Sequence, residues 1–125
     1  MERFRVENLA RGTLVAASVE LAETVLQRLR GLLGRQALPP GEGLWIDPCN
    51  SIHTVFMRFS IDVLFLDAKL RVVRVLSDLR PGRLTRVHLA AVSCLELTAG
   101  ALEPTGTRPG DQLRLTALSR PGSSA

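Results

Sequence analysis

The sequence is poor in several residue types, and each shortage excludes a class of protein. Only two of its 125 residues are Cys, which excludes a disulfide-rich secreted scaffold. Aromatic residues make up 4% of the chain and Tyr is absent, so the aromatic signature of an RNA-binding sheet is missing. No apolar run approaches the roughly 20 residues that a membrane-spanning helix needs. These exclusions leave one soluble globular domain, which we place at residues 1–118.

Lysine is almost missing as well, since fifteen of the sixteen basic residues are Arg and only Lys69 is Lys. The net charge is +4, but the Arg residues are scattered and no zinc-finger spacing accompanies them, so we expect no nucleic-acid partner. An Arg-rich, Lys-poor and Asn-poor composition is typical of a GC-rich genome. The charged N-terminus has no apolar segment of a signal peptide, which predicts a cytoplasmic protein with reduced thiols.

Strand-like segments dominate the chain. Alternating polar and apolar residues at 3–7 and 13–17 predict an N-terminal hairpin. Residues 52–59 and 61–66 are apolar on both faces, which predicts buried strands. Further strands are predicted at residues 44–46, 70–75, 92–99 and 112–117.

One α-helix is predicted at about residues 18–30. Ser18 would cap its start, apolar residues recur at helical spacing, and Gly31 would end it. Residues 31–43 hold four Gly and two Pro and are predicted to be a loop, and 119–125 a disordered tail. The fold class is therefore mostly β (α+β): a compact β-sandwich or jelly-roll-like barrel of seven or eight short strands, with one early helix on a face.

Five segments together resemble a known family. They are RGLLGR at 30–35, GLWI at 43–46, SIHTVFMRFSIDVLFLD at 51–67, LELTAG at 95–100 and PGD at 109–111. In this order and spacing they are similar to the bacterial and archaeal family called domain of unknown function 192, over residues 4–117. The resemblance implies a mostly β fold of sandwich or jelly-roll type with one early helix, and it implies no activity, substrate or cofactor. Many members look exported, and many have Lys-Asn-Thr where this chain has Arg58-Phe59-Ser60.

Asp62 interrupts a long apolar run, so its carboxylate must be paired, hydrogen-bonded or protonated. Arg58 and a buried backbone N–H are the candidate partners. One interpretation is a structural anchor, and the other is a general base or ligand clamp in a pocket. For the second interpretation, the pocket would lie near His53, Met57, Arg58 and Asp62.

Glu96 and Trp45 are two further candidates. Glu96 shares one strand face with Cys94, opposite Leu95 and Leu97. A solvent-facing Glu96 is the favoured interpretation, because half-buried antiparallel strands carry polar residues on their outer face, whereas a covered face would make it functional. Trp45, the only Trp, could be a ligand platform, but core packing is favoured.

All the Cys and His residues of the chain form a last candidate set: Cys49, His53, His88 and Cys94. Two Cys and two His can bind zinc, but the spacing is not that of a zinc finger, so we expect no cofactor and keep zinc as an alternative. Buried free thiols and a Cys49–Cys94 disulfide are the other interpretations.

Three hypotheses of function remain open, and whether the protein is an enzyme is among the open questions. The first is a non-catalytic binding or accessory domain with a polar pocket near His53, Arg58 and Asp62. The second is a small hydrolase or isomerase with Asp62 or Glu96 as general base and His53 as acid. The third is a protein-interaction domain, a monomer or weak homodimer pairing through an edge strand. The partner is accordingly an unknown small molecule or protein.

Overall fold

A computed structural model describes residues 2–24, 27–28 and 31–118 of the protein. Seven strands form one sheet, in the spatial order β5-β4-β6-β3-β2-β1-β7. The strands are β1 (Arg3–Asn8), β2 (Thr13–Ala22), β3 (Glu42–Ile46), β4 (Ile61–Leu66), β5 (Val72–Leu79), β6 (Ser93–Thr98) and β7 (Leu113–Ala117). All neighbours pair antiparallel except β2 and β3, which are parallel. The predicted mostly β class is confirmed, and one curled sheet takes the place of the predicted sandwich or jelly roll.

The sheet curls until its two edges meet at one end. The N–H of Leu113 donates to the carbonyl oxygen of Leu70 at 3.0 Å, and the N–H of Val72 donates to the carbonyl oxygen of Asp111 at 2.9 Å. These bonds join the beginnings of β5 and β7, which are the outermost strands of the sheet. The result is a half-closed barrel, in which hydrogen bonding protects one end of each edge strand.

Two hydrophobic cores lie on opposite faces of this sheet. The inner core fills the concave side, because it joins residues of strands as distant as β7 and β4. The outer core lies over β3, β4 and β6 on the convex side and is covered by loops that contribute Leu32, Leu38, Ile52 and Met57. Strand β4 is buried at every residue because it alternates between the two cores, as its doubly apolar sequence predicts.

The predicted helix at 18–30 is wrong in its first part. Residues 18–22 belong to β2, which pairs with β1 on one side and β3 on the other. Both partners come from outside the segment, so sheet pairing overrides the local helical spacing. Residues 27–28 are helical and residues 25, 26, 29 and 30 lie outside the described residues, so within the described part the only complete helix is a 3-10 turn at Glu103–Thr105.

The predicted strand at 52–59 is also wrong. Only His53 makes an isolated bridge, with Leu84, and the rest of the segment is loop. Its apolar residues divide between two environments: Ile52 and Met57 pack into the outer core, while Phe56 is 88% exposed at a left-handed φ of 66°. The segment is apolar because it covers the sheet, and it does not extend the sheet.

The predicted loop at 31–43 is confirmed as far as Gly41, with turns up to Gly34, but its last two residues, Glu42 and Gly43, belong to β3. The predicted tail at 119–125 lies outside the described residues. Among the described helical residues, none forms a segment long and apolar enough to cross a membrane.

Candidate functional site

A cleft of about 250 Å³ opens on the convex face of the sheet, between the loops that cover the outer core. Its floor is formed by β3 and β6, and its walls by the turn at 31–33 and the loop at 48–57. The lining is largely apolar with polar groups at the loops: Arg28, Gly31, Leu32, Leu33, Ile46, Pro48, Cys49, Asn50, Ser51, Ile52, His53, Met57 and Glu96. An apolar cleft with few polar groups is the usual form of a small-molecule site.

Glu96 is the buried acid on the floor of this cleft. Its strand, β6, lies between β3 and β4, where Glu96 is opposite Leu44 and Val63, so its side chain is only 4% exposed. Its Oε2 atom has no hydrogen-bond partner among the described residues. Burial, followed by the nearby Cys49, raises the pKa of Glu96 to about 8, although Arg35 opposes the shift. The carboxyl group is therefore mostly protonated at neutral pH.

The burial of Glu96 overturns its predicted exposure to solvent. The assignment of strand faces is confirmed, since Cys94 packs in the outer core while Leu95 and Leu97 pack in the inner core. The face that carries Glu96 is covered by the segments at 31–38 and 48–57, which local alternation along β6 does not reveal. Because this face is covered, the functional interpretation of Glu96 is now the favoured one.

The two cysteines form a contacting pair of free thiols beside Glu96. Cys94 donates its thiol proton toward Cys49 Sγ at 3.0 Å, and the Cys49 thiol donates to the carbonyl oxygen of Ser51 at 3.1 Å. Cys94 is fully buried, whereas Cys49 is half-buried and lines the cleft. The hydrogen bond from Cys94 is the main cause that lowers the pKa of Cys49, and the nearby Arg28 lowers it further.

The predicted zinc ligands do not assemble into a metal site. Among the described residues no three His, Cys, Asp or Glu side chains form a group that could hold a metal ion. His53 is exposed in the cleft loop, whereas the ring of His88 packs against Phe65, with the ring centroids 4.4 Å apart and the planes tilted by 43°. Burial, with Arg86 and Arg74 nearby, lowers the pKa of His88.

The other predicted site residues separate into two groups. His53, Met57 and Glu96 all line the cleft. Arg58 is exposed and lies outside the cleft lining. Trp45 packs against the inner core, edge-on to Phe4 with ring centroids 5.2 Å apart, which agrees with the core-packing interpretation.

Asp62 is hydrogen-bonded to the backbone on the concave side of the sheet. Its Oδ1 accepts the N–H of Asp78 at 2.8 Å, and its Oδ2 accepts the N–H groups of Gly100 and Leu102 at 3.0 and 3.1 Å. Of the two candidate partners, the buried backbone N–H is the one observed. Asp62 pairs with Leu97 in the sheet and Glu96 with Val63, so the two carboxyl groups project from opposite faces. Asp62 thus ties together the end of β5 and the turn after β6.

Several residues of the cleft were missed from the sequence. Arg28 was assigned to a helix, Gly31 to its end and Leu32 to the loop that follows, although all three border the cleft. A Cβ atom at Gly31 would lie 3.8 Å from Oε1 of Glu96, so this turn lies close to the acid. The available signal was the RGLLGR segment itself, whose two glycines both adopt left-handed φ angles, 49° at Gly31 and 83° at Gly34.

Comparison with known proteins identifies the family. The family model DUF192, described as an uncharacterized ACR, matches residues 6–115. The chain belongs to the DUF192 family. A UPF0127 protein of Pyrococcus furiosus is 30% identical over 111 residues, covering 85% of this chain and 93% of that protein. A UPF0127 protein of Thermococcus sibiricus is 32% identical over 114 residues, covering 85% and 71%.

Two crystal structures share the fold. A protein of Sinorhizobium meliloti, named as a proposed transcription regulator, has a TM-score of 0.76 and 26% identity, covering 91% of this chain and 92% of that one. A protein of unknown function from Novosphingobium aromaticivorans has a TM-score of 0.73 and 20% identity, covering 90% and 83%. The family description and the names of the UPF0127 relatives state no function, and the name of the Sinorhizobium meliloti protein states one for that protein alone.

Proposed function

We propose that the cleft binds a small organic molecule with an apolar body and a neutral carbonyl or amide group, and that Glu96 is the hydrogen-bonding partner of that group. The observation that carries the proposal is the Glu96 carboxyl group, which is buried at the cleft floor with Oε2 unpartnered among the described residues. A buried polar group without a partner costs about 1–3 kcal/mol. A ligand that supplies the missing hydrogen bond removes this cost, which favours binding.

The size and lining of the cleft limit the ligand. Its volume of about 250 Å³ is just below the range of about 300–1,000 Å³ typical of small-molecule sites, so the ligand is small. The side chains of Leu32, Ile46 and Met57 would pack against its apolar body. Asn50 and Ser51 offer polar groups to the part of the ligand nearest the loop.

The charge state of the site favours a neutral head group over a cationic one. With a pKa of about 8, Glu96 is mostly neutral at pH 7 and can both donate to a carbonyl oxygen and accept from an amide N–H. Arg28 borders the cleft and Arg35 acts electrostatically on Glu96, and both would repel an ammonium group. An anionic head would meet a carboxyl group that repels it once that group ionises.

Three probes of equal chain length test this proposal: butyramide, butylamine and butyrate, with neutral, cationic and anionic heads. Titrated at about pH 7 and followed by two-dimensional ¹H–¹⁵N NMR, butyramide should shift the amide signals of Gly31, Cys49 and Glu96, with a dissociation constant in the millimolar range, about −4 kcal/mol. Glu96→Leu should abolish the shifts because it removes the hydrogen bond. Arg58→Ala, an exposed change outside the cleft lining, is the matched control. Cleft shifts from butylamine or butyrate without any from butyramide, or no cleft shifts from any probe, would contradict the proposal.

A second candidate function is acid–base catalysis by Glu96, and it is favoured by the pKa of about 8, which is close to working pH. His53 lines the same cleft and is the candidate acid. Asp62 is not the base in this proposal, because its carboxylate projects from the face of the sheet opposite to Glu96 and accepts three backbone hydrogen bonds. The rate at which the protein hydrolyses a small ester such as p-nitrophenyl butyrate should then rise with pH, with a midpoint near pH 8, and Glu96→Gln should abolish the reaction. Turnover no faster than in buffer would refute the catalytic role.

We further propose that the protein acts in the cytoplasm as a single domain of residues 1–118, a monomer or weak homodimer. Two free thiols in contact agree with a reducing compartment. The edge strands β5 and β7 offer the pairing positions for a dimer. Light scattering across a concentration series checks this, and a constant monomer mass at high concentration would refute the dimer.

A further inference from the structure

Cys49 and Cys94 are placed differently with respect to solvent, although their sulfur atoms are only 3.0 Å apart. Cys49 is half-buried and lines the cleft as well as an adjoining depression bordered by Arg28, Pro48 and Val92. Cys94 is fully buried behind it in the outer core. A molecule in the cleft can therefore reach the sulfur of Cys49, whereas Cys94 can be reached only from Cys49.

The hydrogen bonds of the pair favour a reaction that starts at Cys49. The thiol of Cys94 donates to Cys49 Sγ, so it stabilises a thiolate at Cys49. The same hydrogen bond, together with burial, keeps the pKa of Cys94 above that of an ordinary thiol. The thiolate is the nucleophile in thiol–disulfide exchange, so the accessible sulfur is also the more reactive one.

We propose that Cys49 and Cys94 are a dithiol pair that reduces a small organic disulfide entering the cleft, with Cys49 as the attacking thiol and Cys94 as the resolving thiol. The inference rests on the contact between the sulfur atoms and on their unequal exposure. It is independent of the proposed ligand, because Glu96 takes no part in the bonds that form or break.

The reaction has two steps. The Cys49 thiol releases its proton to water, its thiolate attacks one sulfur of the disulfide RSSR, and the S–S bond breaks to release RS⁻, which takes up a proton. Cys94 then loses its proton and attacks Cys49 Sγ, which forms the Cys49–Cys94 bond and expels the second RS⁻ as RSH. The two protein thiols are oxidised by two electrons, and one RSSR is reduced to two RSH. A disulfide bond needs sulfur atoms about 2.0 Å apart, so the pair moves together by about 1 Å.

Bis(2-hydroxyethyl) disulfide, a neutral disulfide small enough for the cleft, is the probe for the test, applied to the folded full chain at about pH 7.5 and followed by intact-mass spectrometry and thiol titration. The wild type should lose both thiols, fall in mass by two hydrogen atoms and release two molecules of 2-mercaptoethanol. Cys94→Ser should instead accumulate one 2-hydroxyethylthio group on Cys49, because the resolving thiol is missing. Cys49→Ser should react more slowly than the wild type by about tenfold or more, because its only thiol is buried.

Three outcomes would overturn the proposal. The first is a folded wild type that keeps both thiols, and the second is one that stops at a stable mixed disulfide. The third is Cys49→Ser that reacts as fast as the wild type, which would make Cys94 the attacking thiol. Folding of each variant is checked by its ¹H–¹⁵N spectrum. If a Ser variant does not fold, limited alkylation of the folded wild type gives the same order of reactivity, since Cys49 should be alkylated before Cys94.

Discussion

Replacing Glu96 by Gln should stabilise the protein at neutral pH. Burial holds the pKa of Glu96 at about 8 in the folded protein, against an ordinary value of 4.5 in the unfolded chain. Between these two values the folded protein keeps a proton that the unfolded chain has released. The free energy of unfolding therefore falls as the pH rises from 4.5 to 8 and levels off above 8. Glutamine has nearly the shape of the protonated acid and carries no titrating group, so the stability of the variant should not fall with pH in this way.

The expected size of the effect follows from the same two pKa values. Each pH unit in the interval corresponds to about 1.4 kcal/mol, so the wild type loses about 5 kcal/mol from this residue between pH 4.5 and 8. At pH 7 the loss is about 3 kcal/mol. This is a large part of the roughly 5–15 kcal/mol by which a domain is stable. A site that reduces stability this much is expected where function requires the acid.

Urea unfolding of the wild type and Glu96→Gln at about pH 5, 7 and 8.5, with a reducing agent present, measures the effect. The variant should differ little from the wild type at the lowest pH and exceed its stability increasingly as the pH rises. Glu103→Gln is the matched control, because Glu103 is exposed and should leave the pH profile unchanged. Parallel pH profiles for wild type and Glu96→Gln would show that the pKa of Glu96 is not raised in the folded protein.

Three further predictions concern the frame around the site. Asp62→Asn should lower the free energy of unfolding by about 1–3 kcal/mol, because the new NH₂ group would face the N–H of Asp78. Hydrogen exchange at the amide of Asp78 should become faster, and an unchanged rate there would contradict the hydrogen bond from Asp78 to Asp62. Gly43→Ala should destabilise the protein by about 1–3 kcal/mol in urea, since its Cβ would lie 2.8 Å from a backbone oxygen of β6; wild-type stability would show that the strands can shift. Arg11→Ala should raise the pKa of Asp111 from about 2, because the hydrogen bonds donated by Arg11 hold this pKa low. The ionised Asp111 stabilises the wild type above about pH 4, and this contribution is lost as the pH falls toward 2. Arg11→Ala should therefore be less stable than the wild type above about pH 4, and the difference should shrink at lower pH. An NMR titration of Asp111 that the substitution leaves unchanged would contradict this.

The sequence was sufficient for the mostly β class and for the strands with the most regular patterns, but it did not predict that the strands form one curled sheet. Strand β4 was predicted with its bounds, because a segment that is apolar on both faces suits a position between two cores, but the same pattern at 52–59 belongs to a loop that covers the sheet. The pattern failed at residues 18–22, where the i, i+3 spacing of Val19 and Ala22 is that of one helix face, whereas in β2 the two side chains point to opposite faces and pack in different cores. The choice is made by pairing with β1 and β3, including the 2.6 Å ion pair between Arg3 and Glu20.

The site was only partly predictable for a related reason. The alternation along β6 placed Cys94 and Glu96 on one face, but it could not show that loops far away in the sequence cover that face. Asp62 drew attention because a carboxylate in an apolar run needs partners, and its partners are backbone groups of later segments. Contacts between the two cysteines, 45 residues apart, likewise depend on the finished sheet.

The most direct test of the account is the titration of the Glu96 carboxyl carbon by ¹³C NMR, with and without saturating butyramide. In the free protein the signal should titrate with a pKa of about 8. Because the proposed amide accepts a hydrogen bond from the neutral carboxyl group, bound butyramide should raise the pKa of Glu96 further. The affinity of the protein for butyramide should fall about tenfold for each pH unit above the pKa of the free protein. A free pKa near 4.5, or a value of about 8 that butyramide leaves unchanged, would contradict the claim that Glu96 is the binding group of this cleft.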